Sequence, residues 1–244
     1  MSTTGPTRPD PGPTSGFESV LDALDAERRA RRAVMSTSAD RAARTVREQV
    51  VEGRLRSGTR LPEERLAAAI GVSRNTLREA LSQLVAERIL VREAHRGVVV
   101  ATPDADDVRD LYAVRLVLEP GALEHGTAAT PAAVARVRDS VAEGYAAADR
   151  GDHAGIGDAN QHFHRAVVSL AGSPRLDAQM DLLLAEMRLV FHRMGDPEAF
   201  HAPYLADNDR ICGLLEAGER GAAAHHLADY LARARDHLLG ELPA

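Results

Sequence analysis

Residues 61–81, LPEERLAAAIGVSRNTLREAL, constrain the chain more than any other stretch, because they specify two short helices and the turn between them. Pro62 suits the start of a helix, and Gly71 supplies the left-handed residue that ends one. Ser73 then offers a hydroxyl to the free amides of a second helix. In that second helix Leu77, Ala80, Leu81 and Leu84 recur at helical spacing and face inward. Arg74, Asn75, Arg78 and Ser82 are left on the opposite side. A helix that exposes such a row can enter the major groove of DNA, where Arg reaches guanine O6 and N7 or a phosphate.

The flanking residues complete a small unit. Ser38 caps a helix whose stripe is Ala43, Val46 and Val50 and whose stop is Gly53. After Leu84, the β-branched runs Ile89 to Arg92 and Val98 to Val100 are separated by Ala94-His95-Arg96-Gly97, which predicts a hairpin with Gly97 at its turn. Three helices and a hairpin over 36–101 make a winged helix-turn-helix. Thr102 before Pro103 predicts the start of a further helix. Beyond it, start and stop signals recur at Pro120-Gly121, Thr130-Pro131, Gly151-Asp152, Gly172-Ser173-Pro174, Gly195-Asp196-Pro197 and Gly218 to Gly221. They divide 102–240 into six or seven helices. The stripes Val134, Val137, Val141, Tyr145 and Leu176, Met180, Leu183, Met187 give each helix one apolar face, so an antiparallel bundle is expected. Aromatic residues are only 3%, which fits a mainly α chain with small side chains at its helix contacts. Residues 1–35 begin with a Pro, Gly, Ser and Thr-rich tail, followed by a short helix over 17–34 that carries an Arg cluster.

Charge divides the chain in the same place. The net charge is −6, yet 36–101 hold 12 Arg against 8 acidic residues and 102–244 hold 13 against 23. A basic module followed by an acidic one can bind nucleic acid locally while the whole remains acidic. None of the 30 basic residues is Lys, so every cationic contact has the forked geometry of guanidinium. The single cysteine, Cys212, excludes an internal disulfide or a cysteine zinc cluster and fits a reducing cytoplasm. No secretory leader or long apolar run is present, so a cytoplasmic protein without a membrane partner is expected.

The pattern running from Leu61 to Leu81, with the glycine-containing wing after it, resembles the winged helix-turn-helix of GntR-type regulators. The resemblance implies DNA contacts from Arg65, Ser73, Arg74, Asn75, Thr76 and Arg78, and from Arg96 and Gly97 in the wing. Arg65 has an alternative in pairing with a neighbouring side chain.

The remainder, about 104–240, resembles the helical ligand-binding domain of the FadR branch, the FCD type, through DLYAVRLVLEPGAL near Arg115, NQHFHRAVVSLAGSPRL near His164 and the closing Ala-rich helix. Many members bind a divalent metal through Asp or Asn, a His four residues on, and two later His. Here Asn160 and His164 match the first pair, but Asn208 and Tyr230 stand where the later two would be, and both are poor ligands for a transition metal. No cofactor is expected, leaving at most a weak divalent site on Asn160 and His164 or a relocated one using His162, His192, His225 or His226. The resemblance instead places Arg115, Asn160, His164, Asn208 and Tyr230 at the centre of the bundle, where a small organic acid would set its carboxylate on Arg115. Arg115 has an alternative in Glu119, four residues on along the same helix.

The expectation is therefore a homodimeric, ligand-responsive repressor of a pseudo-palindromic operator in double-stranded DNA. Two other readings compete with it. In one the bundle only dimerises. In the other it is a His-dependent enzyme, for which no nucleophile with its base, phosphate loop or complete metal triad can be found.

Overall fold

The computed structural model describes residues 38–51, 54–194 and 200–242. The expected tail and short helix at 1–35, the stop at Gly53 and the signal at Gly195-Asp196-Pro197 lie outside the described residues.

The head opens with α1 (Ala39–Val51), α2 (Glu63–Ile70) and α3 (Arg74–Ala86). Gly71 has φ 78° and returns its amide to the Ala67 carbonyl, so the turn between α2 and α3 needs the conformation that glycine adopts without strain. The Ser73 side chain accepts from the Thr76 amide, the cap its position predicts. Strands β1 (Leu90–Glu93) and β2 (Gly97–Val100) pair antiparallel, with Leu90 opposite Val100 and Glu93 opposite Gly97. The hairpin thus starts one residue later than expected, because Ile89 ends the α3 exit and turns fully inward. Its loop uses two left-handed residues, His95 at φ 64° and Gly97 at φ 79°. On the other edge of β2, Leu61 donates to the Val98 carbonyl at 2.9 Å and Val100 donates to the Thr59 carbonyl at 2.9 Å. The wing is therefore tied back to the chain entering α2.

Six α-helices follow among the described residues: α4 (Ala105–His125), α5 (Pro131–Asp149), α6 (His153–Ser169), α7 (Pro174–Phe191), α8 (Leu205–Glu216) and α9 (Arg220–Glu241). This is the mainly helical bundle expected, but two signals inside it were misplaced. The first helix starts at Ala105 rather than at Thr102-Pro103, because Asp104 and Asp107 form a reciprocal capping box that no Thr-Pro start can match. Pro120-Gly121 does not end a helix either. α4 runs through Pro120 at the cost of one amide donor, held on both flanks by its contacts with α6 and α9. Tyr145, placed on the inner stripe of α5, is instead exposed, while Val137 and Val141 are buried.

Among the described residues two large hydrophobic cores result, beside a small cluster of Ala147, Ile156 and Leu205. One is built from α1, α3 and the hairpin, with Val46, Leu77, Leu81, Leu84, Ile89 and Leu90 inside. The other fills the bundle around Tyr112, Leu123, Phe163, Met180, Met187 and Leu231. Helix α7 serves both: Met187 and Val190 belong to the bundle, whereas Leu189 and Ala185 pack into the head. Arg193, just past α7, donates to the Pro103 carbonyl in the linker. Among the described residues no helix is long and apolar enough to cross a membrane.

Candidate DNA-binding face and bundle centre

In the head, Arg65, Ser73, Arg74, Asn75 and Arg78 are all exposed and Thr76 is half-buried. In α3 the inward packing of Leu77, Ala80 and Leu81 is what turns Arg74, Asn75 and Arg78 outward. Ser73 and Thr76 are already engaged with each other, hydroxyl to hydroxyl at 2.8 Å, so they shape the start of the helix as well as border the face. Neither leading arginine is free. Arg74 pairs with Glu64, and Arg78 donates from Nε to Glu63 at 2.7 Å, both acids lying in the first turn of α2. Both guanidiniums expected to meet DNA are thus held by carboxylates of the neighbouring helix, which the sequence pattern alone does not mark. In the wing, Arg96 donates to Glu93 at 2.6 Å and to the Gly58 carbonyl at 3.3 Å, with Gly97 beside it at the strand start.

In the bundle, all five residues expected at the centre meet. Arg115, Asn160, His164, Asn208 and Tyr230 are buried, on α4, α6, α8 and α9. Their hub is Glu119, which sequence reasoning treated only as an alternative partner for Arg115. Arg115 donates from Nε to Glu119 at 2.6 Å. His164 Nδ1 lies 2.6 Å from the other carboxylate oxygen. Burial alone would raise the Glu119 pKa, but Arg115 and His164 outweigh it and hold the carboxyl below its ordinary range. Burial pushes His164 the other way, towards the neutral ring.

An ionised Glu119 can only accept, so Nδ1 of His164 carries the proton and Nε2 is left as an acceptor. Tyr230 lies 3.1 Å from that Nε2 and 3.2 Å from Asn160 Oδ1 and has one proton to give; donated to Nε2, it leaves Asn160 Oδ1 satisfied by the Asn208 amide at 2.9 Å. The chain of bonds leaves two atoms over: Arg115 Nη2, a donor, and Asn208 Oδ1, an acceptor, are buried without partners. The i, i+4 spacing of Arg115 and Glu119 could have marked the pair. Nothing local could have shown that the same carboxylate reaches His164, 45 positions away.

A metal does not fit this group. His164 is its one imidazole, and both ring nitrogens are engaged by Glu119 and Tyr230. No set of three His, Cys, Asp or Glu side chains converges anywhere among the described residues. Three of the histidines offered for a relocated site lie apart on carboxylates of their own: His162 on Glu143, His225 on Asp229 and His226 on Asp207.

A head of this kind joined to a bundle of this kind has counterparts. The profile of bacterial regulatory proteins of the gntR family matches residues 38–100, and that of the FCD domain matches 110–233. The chain belongs to the GntR family. The crystal structure described as that of a transcriptional regulator GntR from Rhodococcus sp. RHA1 is 38% identical, covers 84% of this chain and 99% of its own, and superposes with a TM-score of 0.77. The HTH-type transcriptional regulator BphR of Paraburkholderia xenovorans LB400 is 47% identical over 78 residues, and this chain spans only 32% of its length. A probable D-xylose utilization operon transcriptional repressor of Paenarthrobacter nicotinovorans is 28% identical over 199 residues, which are 75% of this chain and 82% of that one. This GntR-family protein is thus a transcription regulator with a DNA-binding head and an FCD bundle, and the enzyme reading is set aside.

Proposed function

We propose that the protein is a ligand-responsive repressor with two domains, 36–101 binding operator DNA and 102–240 binding the effector and dimerising. Two heads related by two-fold symmetry read the two halves of a pseudo-palindromic operator in the cytoplasm. Arg74 and Arg78 make the decisive contacts, and Arg65, Ser73, Asn75, Thr76, Arg96 and Gly97 position the head on the backbone and groove edges. The effector is a small organic acid at the bundle centre. Its carboxylate takes Arg115 Nη2, and a hydroxyl on the same molecule suits Asn208 Oδ1, with Asn160, His164 and Tyr230 completing the contacts.

The observation that carries this reading is the pair of buried atoms left over, a donor and an acceptor inside one otherwise satisfied network. Titrating small hydroxy acids and simple carboxylates while following the melting temperature tests it, since a true effector raises that temperature by mass action. Arg115→Met should abolish the rise. A second reading is favoured by the Arg115–Glu119 pair, which already neutralises the arginine: a bundle that only dimerises. No response to any acid, with operator binding intact, selects that reading. On the DNA side, Arg74→Ala or Arg78→Ala should abolish operator binding without changing the oligomer, and unchanged mobility shifts in both would reject the docking.

A further inference from the structure

We infer that a cleft between the head and the bundle binds phosphate or a small phosphorylated molecule, as a second ligand site separate from the bundle centre. The cleft, about 460 Å³, is bounded by Arg47 of α1 in the head and by Gln161, Arg165, Asp181, Leu184 and Arg188 of α6 and α7 in the bundle. Its size is that of pockets that hold small metabolites. Three guanidinium groups converge on it, each balanced by one carboxylate, Glu87, Asp181 or Asp158, so the cleft offers a concentration of N–H donors rather than a net charge.

Each guanidinium is engaged only in part. Arg47 uses Nε and Nη2 on Glu87, Arg165 uses Nε on Asp181 at 2.5 Å, and Arg188 uses Nη2 on Asp158. Arg188 Nε is buried without a partner. A buried cationic donor that lacks an acceptor is costly, and the neighbouring guanidiniums add N–H groups pointing from two further helices. A monocarboxylate cannot use so many donors at once. A tetrahedral dianion can, because its charge is spread over three oxygens that each take charge-assisted bonds from forked guanidinium groups.

The position gives the site its consequence. One arginine belongs to the DNA-binding core and two belong to the bundle, so a bound dianion favours the placement of the head in which all three face it. Any ligand with such a preference shifts operator affinity by the same coupling. The site does not depend on the bundle centre being an effector pocket.

The test uses the full chain, with inorganic phosphate and glycerol phosphate as probes and sodium chloride at matched ionic strength as the reference. Both phosphates are expected to raise the melting temperature by several degrees beyond chloride. Arg165→Gln, a substitution at a half-exposed side chain, should weaken calorimetric binding about tenfold, and Arg47→Gln should do likewise. Arg74→Ala in the recognition helix and Arg115→Met in the bundle centre should leave phosphate binding unchanged. Phosphate no better than chloride, or binding retained in both cleft variants, overturns the inference. So does loss of phosphate binding in Arg74→Ala, which would place the anion on the DNA face. Weakened duplex binding by Arg165→Gln in phosphate-free buffer would make the cleft a contact for the DNA backbone, and that also overturns it.

Discussion

Glu119 and His164 face each other between α4 and α6 at 2.6 Å, both almost without solvent, and the second oxygen of the same carboxylate holds Arg115 at 2.6 Å. Removing the carboxylate leaves a buried guanidinium charge with nothing to balance it. Glu119→Ala is therefore expected to cost about 3–5 kcal/mol of stability, whereas the pair variant Arg115→Met, Glu119→Leu should recover most of the loss. Denaturant unfolding of the three proteins checks this. If the single variant is as stable as the double, the carboxylate is not the hub described here.

Acid should destabilise the folded chain through its buried bases before it reaches ordinary carboxylates. His201 is buried on Phe191 and Phe200, and burial, with the Arg188, His164 and Arg115 charges adding to it, pushes its pKa down from 6.5 to about 3. His164 is lowered as well, by burial first. A base whose folded pKa is depressed binds fewer protons folded than unfolded, so stability is present above pH 6.5 and falls below it. The loss is roughly 1.4 kcal/mol per pH unit for each such group. Glu119, also lowered, adds a loss in the same direction below its unfolded value of 4.5. Urea midpoints between pH 7.5 and 5 should fall in the parent and fall less steeply in His201→Leu. An identical slope in the two proteins rules His201 out as a contributor.

The C-terminus of α4 is closed by a side chain from another helix rather than by one of its own. Arg220, in the first turn of α9, donates at 2.7 Å to the carbonyls of Leu123 and of Gly126. A Cβ on Gly126 would lie 2.3 Å from the carbonyl oxygens of Ala122 and of Leu170, neither of which can move without its helix. Gly126→Ala is expected to cost roughly 3 kcal/mol. Gly151 is the contrast, with φ 65° and nothing within 4 Å, so Gly151→Ala bears only the left-handed backbone penalty of about 1 kcal/mol. Thermal unfolding that ranks the two in the opposite order defeats the steric argument.

How much of this was legible depended on how local each cause is. Gly71, Ser73 and the Leu77 to Leu84 stripe act within one or two turns, and α2 and α3 form where those residues predict. Pro120 is equally local, yet its stop signal was overridden, because contacts with α6 and α9 support both sides of the break. Asp104 displaced Thr102 as the cap because the reciprocal partner, Asp107, stands three residues on. Arg115, Asn160, His164, Asn208 and Tyr230 could be gathered only through resemblance, since no periodicity relates four different helices. Glu119 as hub, and the two acids of α2 against α3, needed the packed chain.

Those two acids yield the last prediction. In the docking proposed above Arg74 and Arg78 lead the contact with DNA, and each would have to leave a carboxylate, Glu64 or Glu63, to make it. Arg74, Glu64 and Arg78 are largely exposed and Glu63 is half-buried, so each pair is worth about 1 kcal/mol. Glu64→Gln and Glu63→Gln keep the size and polarity of the side chain while removing the competitor and a charge that repels phosphates. Each is expected to tighten operator binding by up to about fivefold at low salt, with the gain shrinking as added salt screens the original pairs. Fluorescence anisotropy with the operator duplex across a salt series measures it, with the melting temperature recorded to show an unchanged fold. Weaker binding in both variants would mean that the carboxylates hold the guanidiniums in place for the bases. In that case Glu63 and Glu64 are positioning groups of the interface and not its competitors.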